Sequence, residues 1–215
     1  MLKSALPFAV ESPPTDARTR ILTLANKSLF AYGYSALTMD ELASDLGISK
    51  KTLYVYFRSK DALVEEIFNQ FAAGVRAQAD ALFADQELSF TVKMHRFGET
   101  MIQRLSRLSP HLLRDLQRFA PHIYRRLEEL RNQNIPYVFG GILRQGQAAG
   151  IVRKNIDPTF AVEFWRPALQ SLLHPDTLER LKLNPHEVMT QAIDLFFGGL
   201  LTPAGRKDYE KKHTT

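Results

Sequence analysis

The chain has 215 residues and no cysteine, which excludes disulfides and thiolate metal sites. Apolar residues make up 45% and charged residues 24%, a balance typical of a globular protein, and the net charge of +5 permits a polyanionic partner without requiring one. No apolar run approaches the roughly 20 residues that span a bilayer, and prolines interrupt residues 1–14. The sequence therefore predicts neither a membrane span nor a signal peptide, and we expect a cytoplasmic protein.

The chain is expected to open with a disordered arm over residues 1–14. Thr15 is a candidate N-cap for a first helix, and Gly33 is a candidate stop. The apolar residues between them recur at helical spacing: Ile21, Leu24, Ala25, Leu29 and Phe30. These signals predict a first amphipathic helix.

Each of the next three predicted helices is preceded by a residue suited to cap it: Thr38, Ser49 and Ser59. Glu41 follows Thr38 by three residues, as a capping-box partner would, and Gly47 ends the short second helix. A second short helix then runs through Tyr56. The residues from 60 to 83 form a long helix with one apolar side.

Beyond residue 83 the pattern remains helical and contains no alternating stretch long enough for a sheet. Pro136 is expected either to kink the longest of the remaining helices or to split it in two, and residues 206–215 are expected to be a mobile tail. The predicted helices are 88–108, 110–119, 121–149, 158–173 and 185–201. The fold class is therefore predicted to be all-α.

The segment 39–56 carries the most specific pattern. Ala43 is small and precedes Gly47 by four residues, so a second helix can cross closely over the first, and Gly47 can adopt the left-handed turn between them. Four apolar residues would form the wedge between the two helices: Leu42, Leu46, Ile48 and Leu53. This spacing is typical of a helix-turn-helix, although by itself it also fits an ordinary short helical hairpin.

The charges around this motif favour DNA binding over an ordinary hairpin. Between residues 15 and 60 there are seven basic residues and four acidic ones. Lys50 and Lys51 open the second motif helix, where a recognition helix meets base edges. Tyr54 and Tyr56 lie close to further basic residues and can donate hydrogen bonds to phosphates.

The chain resembles the TetR/AcrR family of bacterial regulators over residues 15–71. The residues that carry the resemblance are Thr38-Met39-Asp40-Glu41-Leu42-Ala43, Gly47-Ile48-Ser49, Thr52-Leu53-Tyr54-Val55-Tyr56-Phe57 and Ser59-Lys60-Asp61-Ala62-Leu63. The end of the chain, around 194–206, is similar to the last helix of many members. The resemblance implies a three-helix DNA-binding domain over 15–60, a connecting helix over 60–83, and a helical ligand-binding and dimerisation domain over 84–205.

The resemblance also implies roles for individual residues. A group of polar and basic side chains would contact the major groove or the phosphates: Thr38, Ser49, Lys50, Lys51, Thr52, Tyr54, Tyr56 and Lys60. Leu53 and Phe57 would be core. The partner would be a palindromic double-stranded operator, since a two-fold dimer reads two half-sites.

The last two long helices are more apolar than one face of a surface helix requires. A four-helix interface between two subunits would bury the excess, whereas the alternative is burial within a monomer core. The candidate interface residues are Phe160, Phe164, Leu169, Val188, Ile193, Phe196 and Phe197. The candidate lining of a pocket for a small apolar or amphipathic effector is Met94, Phe97, Met101, Tyr137 and Trp165.

The sequence offers no motif for catalysis, for a cofactor or for a metal, because the six histidines lack ligand spacing and no nucleotide-binding loop is present. We therefore expect no enzyme activity. The function predicted is a homodimeric repressor released from its operator by a small ligand. The alternatives are a TetR-like activator, and a helical interaction protein or enzyme built on a helix-turn-helix scaffold.

Overall fold

A computed structural model describes residues 17–213, with the backbone alone for residues 105, 106, 208 and 210–213. The predicted arm at 1–14 and the Thr15 cap lie outside the described residues. Over the described range the chain is all-α, as predicted. The helices are α1 (Ala17–Tyr32), α2 (Met39–Leu46), α3 (Lys50–Tyr56), α4 (Lys60–Ala84), α5 (Phe90–Ser106), α6 (Pro110–Phe119), α7 (Pro121–Ala148), α8 (Pro158–Leu172), α9 (Pro175–Leu181), α10 (Pro185–Leu200) and α11 (Pro203–His213).

Helices α1, α2 and α3 form a compact N-terminal unit whose ends are set by local chemistry. Gly33 ends α1 with φ of 93°, and its N–H donates to Leu29 at 2.9 Å. The predicted caps Thr38, Ser49 and Ser59 each accept a backbone N–H of the following helix. The sequence therefore predicted these helix boundaries from the capping residues alone.

Helix α4 runs from the N-terminal unit into the rest of the molecule and packs along both α1 and α7. Its buried side includes Leu63, Ile67 and Phe68 near α1 and Val75 and Ala79 farther along. One continuous helix therefore contacts the helix-turn-helix at its beginning and the C-terminal helices beyond.

Helix α7 is the central helix of the C-terminal part and packs against α4, α6 and α8. Pro136 lies inside it without dividing it, so the predicted split does not occur. Helix α8 contains Pro167 in the same way. After α7, Gly150 turns the chain, and an isolated antiparallel bridge joins Val152 to Leu201.

Two features of the C-terminal end differ from the sequence prediction. The short helix α9 was not predicted, and residues 203–213, expected to belong largely to a mobile tail, form α11. Tyr209 of α11 donates a hydrogen bond to Asp194 at 3.3 Å, and burial raises the pKa of Tyr209 to about 12. The tail is thus held against α10. Each helix within 17–213 is too short or too polar to cross a membrane.

Candidate DNA-binding surface and effector cavity

The turn between α2 and α3 has the geometry that the sequence predicts. Gly47 is left-handed, with φ of 65° and ψ of 32°. Its N–H donates to Ser44 at 3.0 Å, and the N–H of Ile48 donates to Ala43 at 3.0 Å. Ala43 is buried at the crossing. A helix end with two such bonds holds the second helix in a defined direction.

Helix α3 exposes polar side chains to solvent and packs against the core through its buried residues. Leu53 is fully buried and Phe57 nearly so, as expected for core positions. The other residues of the predicted DNA-contacting set on this segment are exposed: Ser49, Lys50, Lys51, Thr52, Tyr54 and Tyr56. The structure therefore brings these side chains to one accessible surface, which we call the recognition surface.

Five of the eight side chains predicted to contact phosphates or bases make interactions within the protein, and two of them, the Ser49 and Thr52 hydroxyls, bond to each other at 2.8 Å. Lys50 forms an ion pair with Asp40 at 2.6 Å, and both side chains are largely exposed, so the pair contributes little stability. The Thr38 hydroxyl donates to Glu41 at 2.8 Å. The Lys60 ammonium lies 4.0 Å from the centre of the Tyr34 ring, and burial lowers its pKa. The Lys50–Asp40 pair is exposed, so solvent screens the attraction between its two charges.

Behind the recognition surface, the loop between α1 and α2 is fastened to the C-terminal helices by polar contacts. Asp115 of α6 accepts the N–H of Ser35 at 2.6 Å. Asp61 of α4 accepts the Tyr34 hydroxyl at 2.5 Å and lies 2.9 Å from Nε2 of His122 on α7. Burial and the Asp61 carboxylate raise the pKa of Tyr34. We call Tyr34, Ser35, Asp61, Asp115 and His122 the loop cluster.

The loop cluster was not predicted, because its members come from four separate segments of the sequence. Gly33, next to Tyr34, is the sequence feature connected with the loop cluster, because a Cβ at this position would stand 2.8 Å from a carboxylate oxygen of Asp115. Glycine is therefore required there both for its backbone angle and for the close approach of α6.

A cavity of about 90 Å³ lies between α4 and the C-terminal helices. Its walls come from α4, α5, α7, α8 and α10 and are overwhelmingly apolar. Three of the predicted lining residues are present: Met94, Phe97 and Met101. The volume is several times the ~10–15 Å³ that one water molecule requires, so a small organic molecule has room to enter.

Two residues predicted to line the cavity lie elsewhere. Tyr137 is exposed, and its hydroxyl donates to Asp80 at 2.8 Å. Trp165 is buried in an aromatic cluster, stacked on Phe196 with ring centres 4.3 Å apart. Neither is among the lining residues. Apolar character made both residues candidates for the cavity, but it does not determine on which side of its helix each aromatic ring lies.

Three polar residues of the cavity wall were not predicted: Arg131, Asn134 and Gln170. The sequence did contain an indication of the first two. Arg131 and Asn134 lie at helical spacing between the buried residues Leu127 and Val138, so all four share one side of α7. A basic and an amide residue on the buried stripe of a core helix indicate a polar site inside the protein.

The predicted dimer residues divide into two groups. Leu169, Val188, Phe196 and Phe197 are buried within the chain itself, and Ile193 packs partly against that core. The chain's own core already covers these four, which corrects the expectation that a second subunit buries them. Phe160 and Phe164 are 68% and 65% exposed, and Leu195 of α10, which was not predicted, is 81% exposed.

The N-terminal unit matches a known family. The model of the tetR family of bacterial regulatory proteins matches residues 21–67. The chain is 26% identical to the uncharacterised HTH-type transcriptional regulator YvaF of Bacillus subtilis, over 84% of this chain and 94% of that protein. It is 28% identical to the HTH-type transcriptional repressor KstR2 of Mycolicibacterium smegmatis, over 72% of this chain and 77% of the repressor.

The fold as a whole also has counterparts among solved structures. A transcriptional regulator from Cytophaga hutchinsonii superposes with a TM-score of 0.65 at 19% sequence identity, covering 85% of this chain and 97% of that one. The similarity therefore extends beyond the N-terminal unit to the C-terminal helices, where it reflects a shared fold.

Proposed function

We propose that the chain is a DNA-binding transcriptional regulator of the TetR family, and that it acts as a homodimeric repressor released from a palindromic operator by a small effector. In this proposal residues 15–60 read DNA and residues 84–205 dimerise and hold the effector. Helix α4 connects the two parts. The similarity to transcriptional regulators supports a regulatory function, and the relative KstR2 is a transcriptional repressor.

The recognition surface is proposed to enter the major groove. Ser49, Lys50, Lys51 and Thr52 would meet the base edges, because the first turn of a recognition helix reaches deepest into the groove. Thr38, Tyr54, Tyr56 and Lys60 would hold phosphates on either side. Such contacts fix the register of the protein on the duplex, and the base contacts supply the specificity.

The dimer is proposed to form through exposed faces of α8 and α10. Phe160 and Phe164 are one helical turn apart, so they share a face of α8. Leu195 projects from α10, and there is free space around Gly198 and Gly199 in the same helix. Large exposed apolar side chains beside small residues allow two helices of a second copy to pack closely.

The observation that carries the proposed release is that α4 belongs to both sites. The helix begins at Lys60, directly after the recognition helix, and its residues Phe68, Phe71, Ala72 and Val75 line the cavity. An effector that expands the cavity therefore pushes on the helix that supports the recognition surface. A coupling of about 1–3 kcal/mol would lower operator affinity about 5- to 150-fold.

The DNA-binding part is tested by selecting duplexes from a random pool and measuring affinity for the selected site at several salt concentrations. We expect a two-fold symmetric site with half-sites about 34 Å apart or slightly more, and a strong decrease of affinity with salt. Turnover of a small molecule without selection of any site would favour the enzyme alternative. A reporter controlled by the site should rise when the regulator is deleted, whereas an activator would make it fall.

The proposed release of DNA is tested by introducing a larger side chain into the cavity. Gly98 of α5 lines the cavity, with no atom within 4 Å of the place where a Cβ would stand. We expect Gly98→Leu to lower operator affinity as an effector would. Gly141 of α7 is equally unobstructed but does not line the cavity, so Gly141→Leu is the matched control. Equal affinities for the two variants would contradict the proposed coupling.

A further inference from the structure

Arg131 is a half-buried arginine in the wall of the apolar cavity, and it makes no ion pair with a carboxylate among the described side chains. It occupies the buried stripe of α7, and its neighbours Leu127, Leu130 and Ile135 are buried lining residues. Its Nε and Nη2 atoms have almost no exposed surface and no hydrogen-bond partner among the described residues. A guanidinium keeps its proton under any ordinary condition, so this group remains a cation in the cavity wall.

The surroundings on α7 do not neutralise this cation. Burial lowers the pKa of Arg131, and the partial compensation comes from Tyr124 and Glu128, two turns and one turn earlier on the same helix. Among the side chains that the structure describes, no carboxylate forms an ion pair with Arg131. A buried charge without a partner is strongly unfavourable, and proteins keep such charges where a ligand or a metal compensates them.

The other polar groups of the cavity wall already have partners. Asn134 donates to the carbonyl of Ala72 at 2.8 Å and accepts from Arg76 at 2.5 Å. Gln170 donates to Asn132 at 2.5 Å. Arg131 is therefore the group whose hydrogen-bonding capacity is left for a ligand.

We propose that Arg131 binds the carboxylate of an effector whose apolar body fills the rest of the cavity. The inference rests on the proposed function, which makes this cavity the effector site. A carboxylate matches the planar fork of the guanidinium and carries one negative charge against one positive charge. A phosphate dianion would leave excess charge in an apolar space. The flexible side chains of Met94 and Met101 can adjust the opposite wall to the shape of the apolar body.

The first experiment compares acids with neutral analogues of the same shape. Butanoate, octanoate and dodecanoate are each titrated against their methyl esters, and octanoyl-CoA and octyl phosphate are added to the series. The fluorescence of Trp165, the single tryptophan, reports binding because its ring contacts Phe139 of the cavity wall. We expect the acid that fits best to bind about 10- to 100-fold more tightly than its ester, as a charge-assisted hydrogen bond to a buried cation implies.

The second experiment removes the cation. Arg131→Met should abolish the preference for the acid, and it should raise the melting temperature of the ligand-free protein because it deletes an uncompensated buried charge. Arg131→Gln provides a polar replacement if the methionine variant does not fold. Glu128→Gln is the matched control, since it alters the neighbouring charge but should leave the acid preference intact.

The outcomes separate this inference from the proposed function. Esters that bind as tightly as the acids, an acid preference that survives both Arg131 substitutions, or binding of the CoA thioester or the phosphate alone would each overturn the carboxylate assignment. If acids bind through Arg131 but leave the operator complex intact, the site stands and the proposed release is wrong. If a neutral ester releases DNA independently of Arg131, the release stands and the carboxylate assignment is wrong.

Discussion

Replacing Gly47 by alanine should destabilise the helix-turn-helix although no side chain would be in the way. The position is left-handed, and no atom lies within 4 Å of the place where a Cβ would stand. An L-residue in this conformation costs roughly 1–2 kcal/mol, and the reduced freedom of the unfolded chain offsets about 0.4–1 kcal/mol of that cost. The net loss should therefore be about 1 kcal/mol, arising from the backbone alone.

The measurement is urea unfolding at a fixed protein concentration, followed by hydrogen exchange of the α2 and α3 amides to locate the effect. With a slope of about 1–3 kcal/mol per molar urea, the midpoint should fall by a few tenths of a molar or more. Gly47→Asn should lose less, because asparagine tolerates the left-handed region better. Gly141→Ala, in a helix with equally free space, should gain about 0.5–1 kcal/mol.

A Gly47→Ala variant as stable as the wild type would refute this reasoning, because it would mean that the turn accepts another conformation. Operator affinity offers an independent check. If about 1 kcal/mol is lost from a domain of ordinary stability, nearly all molecules remain folded, so affinity at 25 °C should hardly change. A large loss of affinity with unchanged stability would indicate that Gly47 itself contacts DNA.

Three further predictions follow from the charges and the exposed surface. Lys60→Ala should weaken binding to all duplexes alike and reduce the salt slope by about one unit per contact, while unchanged salt dependence would exclude a phosphate contact. The free energy of unfolding should fall as pH rises above about 10, because the raised pKa of Tyr34 makes the folded state hold its proton to higher pH than the unfolded chain does. The Tyr34→Phe variant should show a weaker fall. An equally steep fall in this variant would show that Tyr34 does not cause the pH dependence. Phe164→Glu should reduce the sedimenting mass from twice 24.5 kDa to 24.5 kDa, and an unchanged dimer would place the interface elsewhere.

The helix-turn-helix was predictable because its determinants are local. Thr38, Ser49 and Ser59 each bond to an amide three residues later, and Gly47 sits where the chain must turn. Such contacts depend on the identity of residues close together in sequence, so one chain is sufficient to recognise them. The roles of the exposed residues toward DNA stay predictions, since accessibility permits a contact without defining it.

The C-terminal part was less predictable because its contacts are between distant segments. Met94, Met101 and Trp165 were cavity candidates because they are apolar. Met94 and Met101 line the cavity, whereas Trp165 stacks on Phe196 instead. Apolar excess likewise did not distinguish Val188, which is buried in its own chain, from Phe164, which is exposed. In both cases the sequence indicates that a residue is apolar, while the packing partner depends on the three-dimensional arrangement.

Helix α7 relates the inferred carboxylate site to the loop cluster. Arg131 and His122 are nine residues apart on this helix, which corresponds to about 14 Å along its axis. His122 contacts Asp61 in the first turn of α4, and farther along the same two helices Asn134 donates to the Ala72 carbonyl in the cavity wall. An effector that pairs with Arg131 and presses on α4 therefore acts on two helices that are joined by polar contacts at both places. Because a ligand shifts an equilibrium only by its difference in affinity for the two states, we expect a filled cavity to release DNA only by favouring a different tilt of α4 relative to α7.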